Sequence, residues 1–441
     1  MAFKHRVLLN WINDISTIPR YGRRWPIIDL DDALVQDYRN YIDEAVKWGF
    51  NAFTVWGLFV DHSWPVDIAS CYPKRRPYVE QILDHAHKRG MRMMTGLGVY
   101  SWGFEELIRQ NPALKRSAMK HLWGNVRENK EAMCFHSAQA REVMKRVVDF
   151  CLSTGIDGFG MQGADQGRCI CLDCASYSDT AYYAEICGHT AQYIRSKAPD
   201  KMLSVSGWGM SLASDRDTLV CLGRTVDYIT DVSGTSGHPG SAQRRSLYAD
   251  LPCAVGTVGG TIVVPPTRWE RLRWFFPHIR VNGDHIRNLY ADGGRAMEYF
   301  TGVLVNPGDE VTLKAVGWLL QNPEDSVENA AATAAADVFG ADDKTAEKLA
   351  ELLLSAEDTY FGWVNAPKDG EFDFEPLFSV DPGAPIYLKD KPREGLRVYR
   401  NTLCDIERQL MPLSSSLRKP DALARCLASI KGTLGDIDAL V

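Results

Sequence analysis

RVLLNW at residues 6–11, QDYRNYIDEAVKWG at 36–49 and AFTVW at 52–56 follow one another near the start of the chain. The outer two pieces are short and apolar. The middle piece repeats apolar residues at helical spacing and stops at Gly49, where a glycine C-cap belongs. Strand, helix and strand in that order make one βα unit and the beginning of the next. The unit recurs: a helical pattern over 78–88 stops at Gly90, and 91–97 reads as a third strand. Ser137 is placed to N-cap a helix reaching residue 152, ahead of a fourth strand at 158–161. Further strands are expected at 202–206, 226–230, 254–257 and 297–305, with a helical stretch over 269–290 before the last. Eight strands at intervals of about 40 residues, separated by helices, predict an α/β fold, the (β/α)8 TIM barrel.

Past Asn322 and Pro323 the composition changes to alanine, leucine and alternating charge, as at 330–336 and 344–354. Helices without strands are therefore expected over 323–441, after a barrel over 1–322. A looser stretch rich in Pro, Gly and Asp at 366–392 reads as a lid or a dimer arm, which leaves a homo-oligomer open.

The bulk numbers exclude some functions. With 441 residues and 45% hydrophobic content, the chain has ample material for a barrel and an appendage. A net charge of -6 argues against a nucleic-acid partner. No run of about 20 apolar residues is present to span a membrane, and the first residues lead straight into an apolar strand rather than a signal peptide. Eleven cysteines, an odd number scattered over a long chain, fit a reducing compartment, so a cytoplasmic location is expected.

In a barrel of this kind the chemistry sits where strands end. The expected strand ends carry Asn10, Trp11 and Asn13; Trp56; Tyr100 and Trp102; Gln162 and Asp165; Ser206 and Trp208; Asp231; and Asn306, Asp309 and Glu310. Aromatic walls with a few amides and carboxylates suit a carbohydrate, whose C–H faces pack on indoles while its hydroxyls need directional hydrogen bonds. Any one of these tryptophans would serve equally well as a cap on the barrel core; four together favour a sugar platform. His136, His238 and the basic loop of Arg20, Arg23 and Arg24 beside Trp25 are weaker ligand contacts, more simply read as solvated. The glycine-rich residues 258–261 lack the strand-to-helix setting of a nucleotide site.

The most specific local signal is DGFGMQGADQGRCICLDC at 157–174. Cys169, Cys171 and Cys174 lie close enough in sequence to hold a structural zinc, and Cys71, after the second strand, is the expected fourth ligand. Buried free thiols are the plainer alternative, and the spacing matches neither ferredoxin pattern. No cofactor for catalysis is implied.

With its acidic residue just ahead of a C-x-C-x-x-C loop, the segment resembles barrels of the β-N-acetylhexosaminidase and α-glucuronidase superfamily, in particular domains similar to endo-β-N-acetylglucosaminidases. VNPGDEV at 305–311 resembles the turn after their eighth strand, and the likeness runs over about residues 5–360. It implies a glycoside hydrolase in which a carboxylic acid at the end of strand four protonates the glycosidic oxygen. Here Gln162 stands where Glu is expected, and glutamine cannot deliver a proton.

Three readings follow: Asp165 is the acid, position 162 is a Glu→Gln replacement that disables the enzyme, or the barrel binds sugar without cleaving it. Arg168 is a candidate clamp for a substrate carboxylate, or a structural ion pair. Asp231 and Glu310 are candidates for the second carboxylate, with Asp309 and Glu310 equally able to cap a helix beginning near Thr312. A sugar-acid lyase or isomerase on the same barrel is the alternative, needing a basic side chain at a strand end that the sequence supplies only weakly.

Overall fold

The computed structural model describes residues 2–12, 15–16, 30–60, 62–232, 240–260, 275, 277–302, 307–364, 388 and 391–441. Eight strands, β1 (His5–Trp11), β2 (Ala52–Trp56), β3 (Arg92–Gly98), β4 (Gly158–Gln162), β5 (Met202–Ser206), β6 (Tyr228–Thr230), β7 (Ala254–Gly260) and β8 (Ala296–Phe300), pair in parallel and close on themselves in chain order. This is the barrel read from the sequence. The eighth strand stops at Phe300, short of the expected 305, and the helix expected over 269–290 is observed as Ile279–Ala291, with most of 261–276 outside the described residues.

Local sequence explains the joints. Helix α1 (Asp32–Lys47) starts where Asp31 accepts from Leu34 N–H at 2.8 Å, and α3 (Ala138–Ser153) starts at the anticipated Ser137 cap. Between them lies α2 (Arg76–Lys88). At the end of α1 the chain turns through Gly49 with φ of +89°, and a Cβ there would lie 2.1 Å from the Gln321 side chain, so both conformation and space demand glycine.

Polar side chains close the lower rim of the barrel, at the strand N-termini. Asn51, Asp157 and Asp227, each just ahead of a strand, accept from Arg6 N–H (3.0 Å), Met93 N–H (2.8 Å) and Leu203 N–H (2.8 Å) of the neighbouring strand. Above them Val7, Ala52, Met94, Met202, Tyr228 and Ala296 form an apolar layer across the barrel. Higher still the interior opens, because Gly96 lies under the Trp56 ring and Gly160 sits between Thr54 and Ser204. Glu298 is buried there, accepting from Tyr228 Oη at 2.8 Å, and burial raises its carboxyl pKa.

Four helices follow the barrel's later turns: α4 (Asp179–Lys197), α5 (Arg216–Gly223), α6 (Ala242–Ala249) and α7 (Ile279–Ala291). The C-terminal run continues as α8 (Pro307–Gln321), α9 (Val327–Phe339), α10 (Asp343–Thr359), α11 (Arg393–Leu410) and α12 (Pro420–Asp438), helical as expected. One apolar core joins it to the barrel, from Phe3 and Phe53 through Leu320 and Ala334 to Tyr399 and Ile430. Two polar clamps reinforce the junction. Buried Glu357 of α10 accepts the first backbone N–H groups of α7, from Ile279 (2.6 Å), Arg280 (3.0 Å) and Val281 (2.8 Å). Lys314 of α8, with 2% of its side chain exposed, pairs with Asp337 (2.7 Å), Glu44 (2.9 Å) and Glu310 (3.1 Å). No helix among the described residues is long and apolar enough to cross a membrane.

One element escaped the sequence reading. Met119–Lys120, Val126–Arg127 and Arg168–Cys169 form a small antiparallel sheet that binds the insert after β3 to the loop after β4. Strands of two residues carry no periodicity to detect.

Candidate active site at the upper rim

Side-chain alternation turns Thr54 and Trp56, Gly96 and Gly98, and Gly160 and Gln162 toward the barrel axis, with Gly98 and Gln162 opposed in register. At the top of this interior Trp11, Trp56 and Trp102 meet: ring centroids are 5.6 Å apart for Trp11–Trp56, 5.1 Å for Trp11–Trp102 and 5.9 Å for Trp56–Trp102. All three remain partly exposed, so three strand ends share one aromatic wall. Trp208, beside the β5 end, is partly exposed as well, and like Trp102 it packs on the core.

The loop after β4 adjoins that wall. Gln166 N–H donates to the buried Ser101 hydroxyl at 2.9 Å, one residue from Trp102. The neighbouring Asp165 is exposed to solvent, and among the described residues its carboxyl makes no hydrogen bond or ion pair. Desolvation nevertheless raises its pKa above the usual aspartate value. The protonated form of the Asp165 carboxyl is thereby stabilised relative to that of a free aspartate. The Gln162 amide is likewise partly exposed and has no side-chain partner among the described residues.

Glu131 was not anticipated. It lies in the insert after β3, half-buried and 3.4 Å from Arg127, and its pKa is raised by desolvation with further contributions from Glu105 and Asp165. A second carboxylate therefore stands within electrostatic reach of Asp165, supplied by a loop rather than a strand. Nothing in the periodicity marks it; its place ahead of Cys134 in the insert is the only clue.

Several expected site residues have other work. Arg168 is buried: it bonds Asp179 at 2.7 Å and the carbonyls of Cys174 and Tyr177, both at 3.0 Å, so it holds the loop, the structural ion pair of the two alternatives. Tyr100 packs on Phe135 with its hydroxyl pKa raised by burial, which removes it from the sugar wall. Asn10 is fully buried and turned toward α1, 3.5 Å from Tyr38 Oη. Asp231 is closed off beneath α6, accepting from Tyr248 Oη at 2.8 Å with Arg244 at 3.5 Å. Glu310 faces the helices, paired with Lys314 and, at 3.6 Å, Arg425, so neither it nor Asp231 is the free second carboxylate. Asp309 and Glu310 stand in the first turn of α8, the capping alternative, and the helix begins earlier than Thr312, at Pro307. Asn13, His238, Asn306 and the loop of Arg20, Arg23, Arg24 and Trp25 lie outside the described residues. His136 lines a small cleft with Asp173 and Tyr177, beside the cysteine loop.

The cysteines do converge, with one change of member. Cys134, Cys169, Cys171 and Cys174 bring their sulfur atoms within 4.8 Å of one another and could hold a metal ion. Cys134 takes the place expected for Cys71, which ends a short 3-10 turn (Ile68–Cys71) and whose side chain is outside the described atoms. A larger cavity of about 760 Å³ lies among α7, α9 and α10, where Arg280 pairs with Glu328 and Asp358; it is a salt-bridged seam between helices and contains no strand end.

No family model and no curated protein matches the chain in sequence. Solved structures match it in shape. A GH138 enzyme targeting pectin rhamnogalacturonan II aligns over 99% of this chain and 58% of its own, with a TM-score of 0.62 and 9% identity. A mutant of Thermobaculum terrenum O-GlcNAc hydrolase aligns over 99% and 82%, with 0.54 and 13%. CpGH84B aligns over 99% and 69%, with 0.50 and 11%. The chain thus spans little more than half the length of the GH138 enzyme, and at these identities what it shares with all three is the fold, a (β/α)8 barrel followed by helices.

Proposed function

We propose that the chain is a glycoside hydrolase whose proton donor is Asp165. The observation that carries this reading is a solvent-reachable carboxyl whose pKa desolvation raises, without a hydrogen-bond or ion-pair partner among the described residues, beside the partly exposed Gln162 amide and a wall of three tryptophans near the end of the fourth barrel strand. In the step proposed, the Asp165 proton passes to the glycosidic oxygen as the C1–O bond breaks and its electron pair leaves with that oxygen. Glu131 stabilises the positive charge growing at C1, Gln162 hydrogen-bonds a sugar hydroxyl, and water completes hydrolysis. The resemblance to hexosaminidase and glucuronidase barrels and the carbohydrate-acting proteins of like fold support a hexosaminide or sugar-acid-containing glycan as substrate. The reading also includes a cytoplasmic setting and no cofactor in the chemistry.

The test sets the protein and its Gln162→Glu variant against aryl N-acetylglucosaminides, uronides and neutral hexosides. Equal hydrolysis by both supports Asp165. Activity confined to Gln162→Glu moves the acid to position 162 and makes the chain a disabled hydrolase. Silence in both overturns hydrolysis in favour of a sugar-binding barrel or a lyase.

A further inference from the structure

The four thiols do not arise from one loop. Cys169, Cys171 and Cys174 follow β4, whereas Cys134 ends the insert after β3, 35 residues earlier in the chain than Cys169. Cys134 Sγ lies 3.8 Å from both Cys171 Sγ and Cys174 Sγ, and Cys171 and Cys174 are 3.6 Å apart. A zinc ion with four sulfurs at about 2.3 Å in a tetrahedron requires sulfur–sulfur edges of about 3.8 Å. The spacing is far too long for disulfides, which need about 2.05 Å.

The surroundings also suit an anionic tetrathiolate. The His136 backbone N–H donates to Cys134 and the Cys171 N–H to Cys169, while Ser117 Oγ stands 3.2 Å from Cys169 Sγ. The Arg116 and Arg168 side chains add positive charge at the rim: Arg116 pairs with Asp173 of the loop, and Arg168 donates to the Cys174 carbonyl at 3.0 Å. Cys134, Cys169 and Cys174 are buried, so the site is closed, as structural zinc sites are.

We propose that Cys134, Cys169, Cys171 and Cys174 bind one zinc ion, and that this ion fastens the insert carrying Glu131 to the loop carrying Asp165. Binding exchanges four thiol protons for Zn²⁺ with no change of oxidation state. Cys134 is three residues from Glu131 and Cys169 four from Asp165, so the ion sits at the root of both carboxylates' loops. The small sheet made by Met119–Lys120 and Arg168–Cys169 is the only other strand pairing between the two segments among the described residues. The metal assignment stands independently of the hydrolase reading; only the consequence for Glu131 and Asp165 rests on it.

The experiment measures metal content of the purified full chain by elemental analysis, together with Cys134→Ser, Cys174→Ser and, as controls, Cys71→Ser and Cys151→Ser. About one zinc per chain is expected in the parent and both controls, falling at least several-fold in Cys134→Ser and Cys174→Ser. Cobalt exchanged into the parent protein gives a second readout that needs no variant to fold: a tetrahedral tetrathiolate spectrum is expected. Zinc lost from Cys71→Ser but kept in Cys134→Ser, iron in place of zinc, or metal-free protein with no cobalt spectrum overturns the assignment. Metal content is read whether or not any glycoside is cleaved, so failure of this proposal and failure of the hydrolase reading are separable.

Discussion

The two rims of the barrel use the same residue types to opposite ends. At the lower rim Asn51, Asp157 and Asp227 each take up a backbone N–H of the neighbouring strand, and Asp157 and Asp227 also pair with His87 (2.8 Å) and Arg195 (2.9 Å). At the upper rim Gln162 and Asp165 make no side-chain hydrogen bond or ion pair among the described residues. A polar group bonded within the protein secures the fold; a solvent-exposed one without a protein partner costs the fold little and is available to a ligand. The same contrast separates two carboxylates that both follow barrel strands, Asp165 expected as the acid and Glu310 as a second carboxylate: Glu310 is already paired with Lys314.

Asp165→Asn breaks the contrast most sharply if it is mistaken. Removal of the proton donor should lower kcat/KM by about 10²- to 10⁴-fold on a substrate of the parent protein, while stability stays within about 0.5 kcal/mol because no native bond is lost. A large loss of stability in urea would place Asp165 with the structural set. Its pH dependence sharpens the point. An acid acts only while protonated, so with its pKa raised by desolvation, activity should persist above the usual aspartate range and fall as pH rises through that pKa. A rate that climbs across that range would contradict the role.

Lys314→Met should do the reverse. Three carboxylates converge on this buried ammonium, and its removal leaves them facing one another, a loss of about 3–5 kcal/mol measured by urea unfolding. Asp157→Ala and Asp227→Ala should cost less, about 1–3 kcal/mol each, since each abandons one strand N–H and one side-chain partner, His87 or Arg195. In all three variants kcat/KM of the folded fraction should stay near that of the parent; a selective loss of activity would mean that the lower rim and the helical clamp reach the chemistry.

Which of these residues could be read in advance follows from what each signal measures. Period-two and period-3.6 hydrophobicity report burial along an element, so the strands, the caps at Ser137 and Gly49, and the place of Gln162 at a strand end were all legible. Periodicity does not report what lies across space. Arg168 reads as a clamp until Asp179 is seen beneath it, and Glu310 as a catalytic acid until Lys314 closes over it. The same limit hid Cys134 and Glu131, which reach the β4 loop through a long insert held by strands of two residues.

The smallest expected effect tests whether the upper rim is a binding wall or merely the lid of the core. Trp11 and Trp56 are partly exposed and touch one another at 5.6 Å; Trp208, by contrast, packs on the core cluster. If the first two carry a sugar face, Trp11→Ala and Trp56→Ala should each raise KM several-fold, about 0.5–1.5 kcal/mol, with kcat little changed, because the contact is made equally in ground and transition states. Their cost in stability should be modest, and the double variant should fall short of the sum, since each single change already breaks the shared ring contact. A stability loss of about 3–5 kcal/mol, the scale of a truncated core aromatic, with KM unmoved would identify the tryptophans as core caps and leave Asp165 without its platform.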